Sequence, residues 1–259
     1  MGSDSQPLPV VLISGWGLPV SWISPVLPQR GGSVAAQDRA WSLSDFTSRS
    51  PGAWLEQALE QAPPKAIWVG WSLGGQLAMA AADRAPERVA AVVTLCSTPC
   101  FVAGEDWPHG RPGEEFDAFA GRCEKDPAGT LRRFALLQSR GDAHEARARR
   151  EGPAAVKEAQ RHDPIDGQVL GETLQWLRRN DQRRLWRRPM AQPRLHLFGE
   201  RDSLVAPATP VALGLDPQQW QPLPGLAHWP FGPHLPALQA LLQERFQRWS
   251  ALHDKPDAV

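Results

Sequence analysis

Between an apolar, β-type run (Ala66-Ile67-Trp68-Val69) and an alanine-rich helical run (Gln76 to Ala82) lies Gly70-Trp71-Ser72-Leu73-Gly74-Gly75. A G-x-S-x-G pattern in this setting leaves a chain few choices. The residues two positions either side of the serine must lack side chains for strand and helix to approach, and the serine is forced into a strained backbone conformation. Its oxygen is then held above the sheet edge at a helix N-terminus, where N–H groups and the positive dipole end favour a developing oxyanion. The pattern points to nucleophilic chemistry by Ser72.

Other segments fit a sheet around that elbow. Pro9 to Ser14 is a short β-branched run that reads as a buried parallel strand, and it ends in the flexible turn Gly15-Trp16-Gly17. Ligands of open α/β sheets bind at this carboxyl edge, so the Trp16 N–H is expected to form one half of an oxyanion hole and the Leu73 N–H the other. Ser33 to Gln37 is the candidate second strand, and Trp54 to Ala62 has helical periodicity. Val89 to Leu95 reads as another buried strand, with Cys96 and Cys100 beyond it as core thiols. Strands resume at Pro193 to Phe198 and at Gln218 to Gln221 with Pro222 and Leu223, before a final amphipathic helix from Leu235 to Leu252. Strands alternating with helices give a mostly parallel sheet flanked by helices.

From about Gly104 to Pro189 the strand pattern stops and helical composition takes over, at Phe116 to Phe119, Leu131 to Gln138, Glu145 to Arg161 and Leu170 to Leu177. A stretch of this length is not a simple loop, so residues 104–189 are expected to form an inserted helical cap on a core made of residues 1–103 and 190–259. Charge is uneven within that segment. The chain carries 28 Lys/Arg and 28 Asp/Glu, yet Arg122 to Arg188 alone holds 16 basic and 10 acidic residues. A basic cap on an acidic body suits docking of an anionic partner, whereas the neutral total and the lack of an accompanying motif argue against nucleic acid. Three cysteines without paired C-x-x-C spacing make neither a disulfide framework nor a zinc site. No apolar run is long enough for a membrane span and no leader pattern opens the chain; a cytoplasmic monomer is expected, with no metal and no organic cofactor.

A serine hydroxyl needs a base, and the base needs a group that fixes its tautomer. In hydrolases with this elbow the order along the chain is Ser, acid, His, each beyond a strand end. His109, His144 and His162 fall in the inserted segment, His196 lies within a strand and His253 in the tail, which leaves His228, with His234 as a neighbour. Asp202 follows a strand and a glycine, whereas Asp181 lies in the basic segment and Asp216 precedes a strand. The expected triad is Ser72, Asp202 and His228, working through an acyl-enzyme.

The segments Gly15-Trp16-Gly17-Leu18, Ala62 to Gly75, Pro86 to Val89, Ser97 to Phe101, Arg133-Phe134 with Gln138, and Asp202 with Leu204-Val205 resemble those of the BioH family, pimeloyl-[acyl-carrier protein] methyl ester esterases of the α/β-hydrolase fold. The resemblance implies a serine carboxylesterase that removes the methyl group from pimeloyl-carrier-protein methyl ester in biotin precursor synthesis. It also implies that cap arginines meet the acidic acyl carrier protein, with Arg133, Arg147 and Arg150 as the docking residues, and that Trp16, Trp71 and Phe134 contact the acyl chain. The chain departs from the family pattern at Ser14, where the family has His, over Gln29 to Ser50, and before Val10, where two strands are expected to be missing. The same fold and triad would also serve an esterase or C–C hydrolase acting on a free small molecule, and a non-catalytic binding protein could retain the fold.

Overall fold

The structure, a computed structural model, describes residues 7–30, 36–46, 50–162, 164–230 and 232–253. Val and Ile in strands buried on both faces produce β1 (Val10–Ile13), whose four residues are all inaccessible, and the same holds for β3 (Ala66–Trp71) and β4 (Val89–Leu95). With β2 (Arg39–Trp41), β5 (Arg194–Gly199) and β6 (Trp220–Leu223) they form one sheet in the order β2-β1-β3-β4-β5-β6, every pairing parallel. Parallel neighbours need crossovers, and the helices supply them.

After β1 comes a short helix, α1 (Val20–Ile23); α2 (Pro51–Gln61) links β2 to β3, and α3 (Leu73–Arg84) links β3 to β4. The start of α2 is set by Ser50, whose hydroxyl accepts from the Ala53 N–H at 3.3 Å, with Pro51 at the first helical position. Between β4 and β5 lie α4 (Gly113–Lys125), α5 (Pro127–Gln138), α6 (Glu145–His162), α7 (Gly167–Arg179) and α8 (Arg183–Arg187). Asp126 and Asp166 cap α5 and α7 through Gly129 N and Gln168 N, both at 2.8 Å. Beyond β5, α9 (Thr209–Leu213) precedes β6, and α10 (Leu235–His253) closes the chain.

Tryptophan accounts for much of the core. Trp41, Trp54 and Trp68 pack with Phe46 at centroid separations of 5.1–6.4 Å beside β1–β3, each buried aromatic contributing a few kcal/mol on the order of its lost apolar area. On the other side, the His196 ring of β5 stacks on Trp186 of α8 at 4.4 Å and shares a 2.8 Å hydrogen bond with Thr94 Oγ1 on β4, tying the last helix before β5 to the sheet.

Two strand assignments differ from the sequence reading. Of the candidate Ser33 to Gln37, Ser33 to Ala35 lie outside the described residues, Ala36 and Gln37 are helical, and the second strand begins at Arg39. It is held by backbone pairing and by Asp38, whose Oδ1 accepts from Val10 N at 2.7 Å, rather than by an apolar run. The last strand starts at Trp220 instead of Gln218, because Asp216 accepts from Gln218 N at 2.9 Å and winds residues 217–219 into a 3₁₀ turn. Pro222 is tolerated in β6 because that strand is an edge.

Candidate active site

Ser72 sits between the end of β3 and the start of α3 with φ 54° and ψ −120°, a conformation costing on the order of 1–3 kcal/mol that the surroundings must hold in place. The glycines show how. A Cβ on Gly70 would lie 2.1 Å from the Gly74 carbonyl oxygen, and one on Gly74 would lie 2.4 Å from the Ile13 carbonyl oxygen, so strand and helix meet backbone to backbone. Ser72 N–H donates to Leu95 O at 2.9 Å, and Ser97 Oγ donates to Ser72 O at 2.6 Å.

Asp202 follows β5 and His228 follows β6, both at the carboxyl edge where Ser72 stands. The imidazole Nδ1 lies 2.8 Å from Asp202 Oδ2, and Nε2 lies 3.1 Å from Ser72 Oγ. A carboxylate only accepts, so Nδ1 carries the proton and Nε2 is left to take the serine proton. Asp202 is itself oriented by Leu204 N and Val205 N, which donate to Oδ1 at 2.8 and 2.9 Å. All three side chains are buried.

The turn after β1 faces the same serine. A Cβ on Gly15 would lie 3.1 Å from Ser72 Cβ, so any side chain here would press on the serine and the glycine keeps the approach free. Ser14 is buried and its hydroxyl donates to Leu18 O at 2.8 Å, closing the loop on itself in place of the family's His. Trp16 donates its indole N–H to Leu170 O of α7 at 2.9 Å, while its ring meets Phe119 and Phe134 edge-on at 5.5 and 5.1 Å. Leu73 opens α3, so its N–H is among those with no acceptor within the helix.

From Ser72 a cavity of about 440 Å³ extends between the sheet edge and the helices, walled by Trp16, Phe116, Phe119, Phe134, Leu174 and Leu177. Arg111, Arg122 and Arg140 add positive charge to the same lining, Arg111 also pairing with Glu115 and donating to Ser203 O at 3.1 Å.

A family model described as the alpha/beta hydrolase fold matches residues 29–235. The pimeloyl-[acyl-carrier protein] methyl ester esterase of Klebsiella pneumoniae subsp. pneumoniae is 37% identical over 202 residues, covering 76% of both chains. The proteins of that name from Yersinia enterocolitica and Stenotrophomonas maltophilia are 32% and 34% identical, covering 92% and 90% of this chain and 93% and 91% of theirs. The chain is an α/β-hydrolase of the BioH family. Among solved structures, a hydrolase from Oleispira antarctica and an esterase from Exiguobacterium antarcticum each superpose with a TM-score of 0.72, at 17% and 13% identity, covering 93% and 94% of this chain and 92% and 93% of theirs.

Within this α/β-hydrolase, Ser72, Asp202, His228, Trp16, Leu73 and Phe134 converge on one site. Trp71 does not line the cavity. It is fully buried behind the imidazole, its indole N–H donating to His228 O at 3.1 Å and its ring 5.6 Å from the histidine ring, because β3 runs on through residue 71 and carries the side chain beneath the His228 loop. Arg133 is exposed on α5; Arg147 and Arg150 are exposed on α6, where Arg147 pairs with Glu151 at 2.6 Å. His234 faces Asp142 rather than the serine. Cys96 lies fully buried; burial, then the Asp202 charge, raises its thiol well above the ordinary range and leaves it protonated, as expected of a core residue. The lining from α4 and α7, Arg122 included, with Arg111 just before α4 and Arg140 just after α5, escaped the sequence reading, because which helix faces turn to Ser72 is decided by packing between distant segments. No helix among the described residues is long and apolar enough to cross a membrane.

Proposed function

We propose that this BioH-family hydrolase is a carboxylesterase that cleaves the methyl ester of pimeloyl-[acyl-carrier protein], with Ser72 as nucleophile, His228 as general base and acid, and Asp202 as the group that orients it. The observation that carries the reading is the 2.8 and 3.1 Å relay from Asp202 through His228 to Ser72, opening on a mostly apolar cavity of about 440 Å³.

Ser72 Oγ attacks the ester carbonyl as its proton passes to His228 Nε2, and the N–H groups of Trp16 and Leu73 receive the oxyanion. Collapse of the intermediate breaks the C–OCH₃ bond, and the proton held on Nε2 leaves with methanol. Water, deprotonated by His228, then attacks the acyl-enzyme; the free carboxylic acid departs and Ser72 regains its proton. The acyl chain lies against Phe134 and the facing aromatics. Residues 104–189 act as the cap, and the basic excess of its residues 122–188 receives an acidic carrier protein, with Arg133, Arg147 and Arg150 as docking residues.

Purified protein given the carrier-linked methyl ester should release methanol and the free acid, and Ser72→Ala should release neither. Charge reversal at Arg133, Arg147 and Arg150 together should slow the carrier-linked ester while sparing p-nitrophenyl acetate. Equal slowing of both would exclude these residues as the docking surface, and turnover of free methyl esters alone would point to a small-molecule esterase.

A further inference from the structure

The turn between α5 and α6 holds a second carboxylate–imidazole couple, away from Ser72. Asp142 is buried, its side chain 2% exposed, and both its oxygens are used. Oδ1 accepts from His144 N at 2.8 Å, Oδ2 accepts from Ala227 N at 2.9 Å, and His234 Nε2 lies 3.0 and 3.1 Å from the two. Ala227 immediately precedes His228. Two further bonds run between the same segments: Ala143 N donates to Gly225 O at 2.8 Å, and His228 N donates to Gln138 O at 3.0 Å.

From this arrangement we infer that Asp142, locked by His234, is a positioning residue that fixes the loop carrying His228 relative to Ser72. The inference rests on the proposed triad, though the brace itself is a matter of backbone geometry. A turn at the surface of a helical segment has no need of a buried carboxylate, whose desolvation costs several kcal/mol on the order of a lost buried ion pair unless donors surround it. Here three donors do. Burial pushes the Asp142 carboxyl up, and the hydrogen bonds from His234, Ala227 and His144 outweigh it, so the group lies below its ordinary range and stays ionised. Since a displacement of about 1 Å at a reacting group costs as much as ~10²-fold in rate, a bond to the residue beside the general base is a sensitive place to anchor it.

Asn at position 142 keeps the shape but presents an N–H₂ group to a cluster of donors, so one contact must break. For Asp142→Asn the expected result is a kcat on p-nitrophenyl acetate lowered about tenfold with KM within about twofold, part of the ~10²-fold that full misplacement would cost. The rate of fluorophosphonate labelling at Ser72 should fall with it. Hydrogen–deuterium exchange should rise in the peptide spanning residues 224–230 and stay unchanged in β4, a split that general destabilisation would not give. His234→Leu, which removes one donor at a partly exposed position, should show the same pattern more weakly and serves if the Asp142 variant does not fold. Wild-type labelling rate, kcat and exchange in these variants would overturn the inference. A wild type that fluorophosphonate does not label at Ser72 would instead remove the proposed catalysis, while the exchange measurement would still decide whether the brace exists.

Discussion

Ser97 Oγ lies 2.6 Å from the carbonyl oxygen of Ser72, so the strained nucleophile is held by a side chain from the end of the neighbouring strand as well as by its own turn. A Cβ on Gly75 would come within 2.5 Å of Ser97 Oγ, which shows how closely the first turn of α3 is pressed on that side chain. Ser97→Ala removes one of the two hydrogen bonds to the Ser72 carbonyl and leaves it the one from Gly75 N at 3.0 Å. The expected loss is about 0.5–1.5 kcal/mol in urea unfolding, with a several-fold lower kcat on p-nitrophenyl acetate.

Glycines separate into two kinds by what surrounds them. Gly70→Ala and Gly74→Ala each drive a methyl into backbone and should abolish soluble, labelled enzyme. Gly121 in α4 and Gly171 in α7 have nothing within 4 Å of an added Cβ, and replacing either by Ala should raise stability by about 0.5–1 kcal/mol, measured as a shift in urea midpoint at unchanged activity.

For Asp202→Asn the proposed chemistry expects a fall in kcat on the order of 10³–10⁴, since an amide no longer selects the imidazole tautomer that leaves Nε2 free. KM should change little. Steady-state kinetics on a soluble ester reads both, and a variant retaining more than about a tenth of wild-type kcat would remove Asp202 from the mechanism.

Acid should weaken the fold through His196. Burial first, and the charge of Arg194 second, push its ring from an ordinary 6.5 to about 3. Between those values the unfolded chain takes up a proton that the native chain refuses, so stability falls as pH drops below 6.5, by roughly 1 kcal/mol per pH unit, and the loss is complete near pH 3. Urea titrations at pH 7, 6 and 5 should show this slope in the wild type and a shallower one in His196→Gln. Identical slopes would assign the acid sensitivity to other groups.

The cavity wall should set chain length. Leu174→Trp fills part of the cavity that Phe134 also lines and should raise KM for p-nitrophenyl esters of six or more carbons several-fold while leaving the acetate ester unaffected; a parallel rise for acetate would mean that the ring blocks Ser72 itself.

What could be read in advance was whatever a short window contains. The run Val89 to Leu95 became β4 without adjustment because each of its residues is buried, and the order of Ser72, Asp202 and His228 followed from strand ends. β2 was placed wrongly, since Arg39 and Ala40 are exposed and the strand is recognisable only by its pairing with Val11 and Leu12. The direction of Trp71 depends on a loop 157 residues away. Asp142 shows the same limit: its partners Ala227 and His234 lie 85 and 92 residues on, and no local pattern announces them.

Trp16 joins three things that are separate residues in a simpler site. Its backbone N–H is the proposed oxyanion donor, its ring walls the cavity, and its indole nitrogen donates to Leu170 O of the helical segment. Exchange at this position to accommodate a new acyl group would therefore also disturb the chemical step and the seating of α7. Selection cannot adjust chain preference at Trp16 independently of the proposed turnover, so adaptation to other esters has freer routes through Leu174 and Leu177, which wall the cavity and have no proposed part in the chemical step.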